Sequence, residues 1–337
     1  MERMALLAAS FGALILTALS GFFIVPALHR LHFGQTIKEI GPTWHKNKNG
    51  TPTMGGLMFY FGALGGVLLG YVLLAFSAPQ LLGASMSAGS VQLVICVLTA
   101  YAFGLVGLLD DYIKVVKKRN LGLMARYKIV AQVLITAAFL AALQLNGTLS
   151  TVVSLPVFGT HDFGIFYYPV SFLLIIGMVN AVNLTDGIDG LASCVTFVCM
   201  LGFMFISSWL GNTTVALFAA AVAGGCAGFL SWNFYPARCF MGDTGSMFLG
   251  GAVVAAAYGL GRPELLLFFG VIYLAEAFSV MLQVTYFKLT HGKRIFKMSP
   301  IHHHFEMSGW SEVQIDFVFS LVTLTFVLLG CMYVYLS

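Results

Sequence analysis

The sequence contains seven aspartates, and five of them, Asp110, Asp111, Asp186, Asp189 and Asp243, fall where long apolar runs meet polar loops. Asp110 and Asp111 are adjacent. Two neighbouring carboxylates at the edge of an apolar run repel each other unless a cation or a basic side chain stands between them. Lys114 follows the first by four residues and the second by three, so on a continuing helix it reaches either one. That pattern suits a metal or phosphate site; a structural ion pair is the plainer alternative.

A second cluster reads Asn183-Leu-Thr-Asp186-Gly-Ile-Asp189-Gly190. Its three-residue spacing places Asn183, Asp186 and Asp189 on one broad face if the segment is helical. Gly187 and Gly190 permit a break that would bring backbone close to a ligand. A turn of aspartates capping the next helix is the other reading. The third cluster is Phe240-Met-Gly-Asp243-Thr-Gly-Ser246. Here Asp243 suits either the N-cap of a helix or a metal ligand, and the glycines free backbone amides for an anion at a helix N-terminus. The stretch lacks the GxxxxGK[ST] spacing of a phosphate-binding P-loop. Phe240 is expected to be exposed, where it would stack on a flat base or anchor at the membrane interface.

Lys46 and Lys48 precede Gly50-Thr-Pro-Thr-Met-Gly-Gly56 and would neutralise phosphate or anionic lipid. The run Pro300-Ile-His302-His303-His304-Phe305-Glu306 has no HExxH pattern or paired cysteines beside it, so zinc is not expected. Pro300 disfavours helix just before it, and an extended piece would align His302 with His304. Histidines so placed suit contact with phosphate oxygens or substrate positioning.

The elements that must position these groups are membrane helices. The 337 residues are 59% hydrophobic and only 9% charged, with a mean hydropathy of +0.92. Soluble domains carry about 25% charged residues. Roughly 200 apolar residues, at about 20 per spanning helix, correspond to about ten spans. The runs do not alternate as barrel strands would, so the expected fold is all-α. They lie near 4–28, 53–76, 91–109, 129–146, 169–183, 190–210, 213–232, 245–260, 263–287 and 312–336, and residues 1–337 read as one integral membrane domain. The first run is too long for the apolar core of a signal peptide. Of the 17 lysines and arginines, only Arg3 and Arg262 fall outside one alternating set of loops. By the positive-inside rule those basic loops are cytoplasmic and, with ten spans, both termini lie outside. The segment from Asn146 to Tyr168, on the outer side, has room for a small hairpin. Six scattered cysteines with no CxxC pair read as packing residues.

Taken together, these motifs resemble the phospho-N-acetylmuramoyl-pentapeptide transferases, a bacterial branch of the polyprenyl-phosphate N-acetylhexosamine-1-phosphate transferase superfamily. The resemblance rests on Gly50 to Gly56, Asp110-Asp-Tyr112, Asn183 to Gly190, Phe240 to Gly245 and Pro300 to Glu306. It implies ten transmembrane helices, a homodimer, and a site facing the cytoplasm from the bacterial inner membrane. The implied reaction moves phospho-MurNAc-pentapeptide from UDP-MurNAc-pentapeptide to undecaprenyl phosphate, giving lipid I and UMP with Mg²⁺; no nucleic-acid partner is implied. In the same pattern Asp243 is the metal ligand, Asp110 and Asp111 are a catalytic pair, and His302, His303 and His304 form a catalytic motif. The resemblance further gives Lys48, Lys114, Lys128, Asn183, Asp186, Asp189, Asn233, Phe240 and Gln283 as substrate-binding positions, with Phe240 against uracil. A related transferase using UDP-GlcNAc or UDP-GalNAc is the nearest alternative. An ion-coupled transporter would place its acids near mid-span, where only Glu276 lies; that residue is expected to be paired within the bundle.

Overall fold

A computed structural model describes residues 1–30, 50–79, 86–116, 122–155 and 159–336. Four helices come first: α1 (Glu2–Arg30), α2 (Leu57–Ser77), α3 (Met86–Val116) and α4 (Ala125–Leu145). A two-stranded hairpin follows, β1 (Val152–Leu155) antiparallel to β2 (Gly159–Asp162), with Val152 opposite Asp162. Then come α5 (Tyr167–Thr185), α6 (Leu191–Trp209), α7 (Thr213–Asn233), α8 (Gly242–Gly259), α9 (Leu265–Phe269), α10 (Val271–Leu289), α11 (Ile301–Glu306) and α12 (Glu312–Leu336).

The chain is an all-α polytopic membrane protein. Among the described residues eight helices, α1 to α7 and α12, are long and apolar enough to cross a bilayer. Helices satisfy every internal backbone group, which is what a hydrocarbon solvent demands. The helices α8 and α10, of 18 and 19 residues, are not among those eight. At 1.5 Å per residue α8 still extends about 27 Å, and every residue from Thr244 to Gly259 is buried. Protein surrounds it, with α3, α5, α6 and α7 among its neighbours.

Small residues make that burial possible, because they let helix backbones approach. A Cβ at Gly107 of α3 would overlap the carbonyl of Asp243, and one at Gly250 of α8 would meet the backbone of Val179 on α5. The same logic joins α1 to α2, where Gly62, Gly66 and Gly70 lie against the backbone and small side chains of α1.

Three local features differ from the apolar-run reading. The third run ends near 109, but α3 continues through Asp110, Asp111 and Lys114 to Val116. The ninth run is split: α9 stops at Phe269 and α10 starts at Val271, with Gly270 packed against the sulfur and methyl of Met178. The histidine run is helical, not extended. Pro300 occupies the N-cap of α11 with an extended ψ of 171°; proline restricts the residue before it, not those after it. The three histidines therefore point in different directions instead of alternating.

Candidate active site

The end of the bundle where α3 finishes and α8 begins gathers most of the polar residues singled out above. Asp110, Asp111 and Asp243 each present a carboxylate oxygen within 4.8 Å of the others. Three negative charges at such separations repel by about 4 kcal/mol per pair at an effective dielectric of 20. Two lysines offset that repulsion. Lys114 Nζ lies 2.6 Å from Asp110, 3.5 Å from Asp111 and 3.1 Å from Asp243. Lys128, from the first turn of α4, lies 2.8 Å from Asp243.

Each carboxylate is held differently. Asp110 accepts the Leu123 amide at 2.8 Å, and a Cβ on Gly122 would collide with its carboxylate. Asp111 accepts both the backbone N–H and the hydroxyl of Thr244, at 2.8 and 2.7 Å. It thereby caps the first turn of α8 from another helix, a task the sequence suggested for Asp243. The N-cap position itself belongs to Met241, and Asp243 sits inside the first turn. Its second oxygen accepts from Asn183 at 2.9 Å, and Asn183 also donates to Ser246 at 2.7 Å.

The Asn183–Gly190 segment does not form one helical face. Helix α5 ends at Thr185, Asp186 is its C-cap, and Gly190 starts α6 with φ +85°. The turn between them sends the three polar side chains apart. Asn183 points to Asp243. Asp189 is buried, accepts the Ala237 amide at 2.8 Å, and donates its own N–H to Glu312 at 2.8 Å. The Asp186 backbone N–H donates to the Asn183 carbonyl at 3.4 Å, but among the described residues its side chain makes no hydrogen bond or ion pair. Burial raises its pKa well above the ordinary carboxylate value, and the nearby charges of Asp243, Asp111 and Asp189 raise it further.

Other expected substrate positions serve local architecture in this structure. Asn233 accepts the Gly190 amide at 3.2 Å and donates to the Cys239 carbonyl at 3.0 Å. Gln283 accepts the amides of Ile295 and Phe296 and donates to the Phe296 carbonyl, each at 3.0 Å, which pins the loop before α11. Phe240 is half-buried where exposure was expected, because its backbone is paired. Its N–H donates to the Pro52 carbonyl and its carbonyl accepts from Gly55, both at 2.8 Å. Those bonds, with Gly56 to Met241 at 3.0 Å, hold Met54 in a left-handed conformation at φ +72°. Lys48 lies outside the described residues.

His302 is fully buried, with Nδ1 at 3.1 Å from Oε1 of an equally buried Glu276. Its ring presses on Gly187 so closely that a Cβ there would overlap Nε2. His303 bonds Glu306 at 2.6 Å, and His304 Nδ1 accepts the Lys297 amide at 3.1 Å. Glu276 is thus paired inside the bundle, as expected of it. Thr244, Ser246 and Glu312 were given no role from sequence; a hydrogen-bond partner far away in the chain gives them no local signal.

The donor set fits a hard divalent cation. Magnesium takes oxygen ligands at 2.0–2.1 Å, often one or two carboxylates completed by substrate phosphates. The Asp243 side chain is 19% exposed, against 5% and 4% for Asp110 and Asp111. It is therefore the carboxylate most open to an arriving ion.

A polytopic helical bundle with this acidic and basic cluster at one end matches a known class of enzyme. Residues 93–261 match the glycosyl transferase family 4 profile, and residues 48–59 match the phospho-N-acetylmuramoyl-pentapeptide-transferase signature 1. Proteins named phospho-N-acetylmuramoyl-pentapeptide-transferase align along nearly the full length. The protein from Heliobacterium modesticaldum is 47% identical over 93% of this chain and 92% of its own. That from Caldicellulosiruptor bescii is 46% identical over 91% and 90%. That from Halalkalibacterium halodurans is 43% identical over 98% and 97%. The chain belongs to the phospho-N-acetylmuramoyl-pentapeptide transferase family.

Proposed function

We propose that this chain transfers phospho-MurNAc-pentapeptide from UDP-MurNAc-pentapeptide to undecaprenyl phosphate, forming lipid I and UMP, with Mg²⁺ at the cytoplasmic face of a bacterial inner membrane. The observation that carries the reading is the convergence of Asp110, Asp111 and Asp243 with Lys114 and Lys128, in a chain 47% identical to a protein of that name. The other parts of the reading are ten crossings, with α9 and α10 together as the ninth, both termini outside, and a homodimer.

In the reaction an oxygen of the lipid phosphate bonds to the sugar-bearing phosphorus of the donor. The bond between that phosphorus and the bridging oxygen breaks, and the oxygen leaves with UMP. Phosphoryl transfer of this kind depends mostly on positioning and charge neutralisation. Mg²⁺ held on Asp243 supplies part of that neutralisation when bound. Lys114 and Lys128 supply more, as fixed ammonium groups that need no reorganisation during reaction. Asp110 takes the proton of the attacking lipid phosphate, and Asn183 holds Asp243 in position. Asp111 fixes the start of α8 against α3, so that Asp243 keeps its place. Lys48 and Phe240 contribute to donor binding, the aromatic ring against uracil, and the partly open Asp186 turn lies toward the donor.

The test is UMP release from UDP-MurNAc-pentapeptide, with and without undecaprenyl phosphate and Mg²⁺, beside UDP-GlcNAc as donor. Release should require all three components, and Asp243→Ala should lower kcat by about 10²–10³-fold. Full Mg²⁺-dependent turnover in Asp243→Ala would remove the assignment. Equal turnover of UDP-GlcNAc would move the chain to the related transferases.

A further inference from the structure

Glu276 is an acid without a place in the reaction just described. It lies in the second turn of α10 and is wholly buried. A carboxylate at such depth costs roughly 2.5–3.5 kcal/mol on insertion scales, so a partner must hold it there. That partner is His302. One Glu276 oxygen lies 3.1 Å from His302 Nδ1, and the other lies 3.5 Å from the His302 backbone amide. Both contacts come from α11, a six-residue helix too short to stay placed on its own.

The far edge of the same ring faces the active site. Nε2 and its neighbouring carbons occupy the space a Cβ at Gly187 would need. Among the described residues neither ring nitrogen has a partner in hydrogen-bond geometry, so Nδ1 meets Glu276 as a close contact at 3.1 Å. Gly187 follows Asp186 directly, at the turn where α5 gives way to α6. The His303 ring is tilted against it at 58°, with ring centroids 4.1 Å apart, and is itself fixed by Glu306 at 2.6 Å. The ring is therefore clamped between an acid in the bundle core and the underside of the Asp186–Gly187 turn.

We infer that Glu276 is a positioning residue: its carboxylate, 3.1 Å from Nδ1 of His302 and bonded to the His302 backbone amide, fixes that ring under Gly187, and so sets the height at which the Asp186 turn meets the donor. Orienting a histidine through its second nitrogen is a general device, and loss of such a partner typically lowers activity by about 10–100-fold. The inference rests on the transferase reading for its kinetic consequence, but the Glu276–His302 contact does not depend on it.

The test uses the full chain in detergent, labelled with ¹⁵N-histidine, His302 being assigned by the signal missing in His302→Asn. In the parent protein His302 should give one tautomer, with a downfield proton on Nδ1. Glu276→Leu should lose that resonance, and kcat for UMP release should fall by about 10–100-fold. Glu276→Gln should keep both the resonance and most of the turnover, since its amide oxygen still accepts the proton. If Glu276→Leu does not fold, Glu276→Gln alone carries the measurement through its retained Nδ1 proton. An unchanged His302 signal in Glu276→Leu, parental turnover in that variant, or a Glu276→Gln without the Nδ1 resonance would each overturn the inference. A parent protein that releases no UMP but shows the bonded Nδ1 proton would instead count against the proposed function.

Discussion

Among the described residues no cation stands beside Asp186, unlike Asp110, Asp111 and Asp243. The lysines are both committed to Asp110, Asp111 and Asp243, so Asp186 meets only burial and like charge, which raise its pKa. A carboxyl whose folded value exceeds its unfolded value favours the protonated fold. That contribution is complete below the ordinary carboxylate range, near pH 4 at about its model value, and is lost as pH rises through the raised value. Asp186→Asn has no proton to lose. Its thermal midpoint should therefore gain on the parent protein as pH rises, by an amount that is small in acid and larger above neutrality. Thermal unfolding in detergent at several pH values measures this, and a gain independent of pH would contradict it. The same residue marks a limit of local reading. The Asp186–Gly187 pair was legible as a possible helix break, yet the spacing of three from Asn183 suggested a common face, because periodicity assumes a helix, and α5 ends at Thr185.

At the scale of elements, the site is a junction between α3 and α8. Asp111 donates nothing and accepts twice from Thr244, tying the last turns of one helix to the first turn of the other. Gly107 lets them approach, its missing side chain leaving room for the Asp243 carbonyl. Gly107→Ala should force the helices apart and cost about 1–3 kcal/mol, the usual range for an overpacked contact. Turnover should fall along with the thermal midpoint, because Asp243 moves with its helix. A variant with normal stability and turnover would show that this crossing does not set the site. The carboxylates and Lys114 were legible because charge is rare in an apolar chain and gathers at the ends of runs. The partnership of Asp111 with Thr244, 133 residues later, was not, since only the folded bundle makes them neighbours. The helical histidine run was missed for a local reason: Pro300 begins a helix as readily as it ends one.

At the scale of the whole molecule, alternation of charge and span assigns two faces, with the hairpin on one and the catalytic cluster on the other. Thr160 on β2 and Lys293 between α10 and α11 are both exposed, while the six native cysteines are buried or half-buried. In intact cells a membrane-impermeant maleimide should label Thr160→Cys, and it should label Lys293→Cys only after permeabilisation. The reverse pattern would invert the assigned orientation. Composition made the membrane class plain, but it could not show which helices contact lipid, because hydropathy does not separate burial in protein from burial in hydrocarbon. Helix α8 exposes that difference. Its residues from Thr244 onward have no surface left for lipid, and its glycines and alanines make it a poor candidate to partition into a bilayer alone. During synthesis, then, this segment has to be received by earlier helices already waiting beside the translocation channel. The chemistry-bearing helix is the last kind of segment a membrane would accept by itself, and its entry depends on the order in which the chain is made.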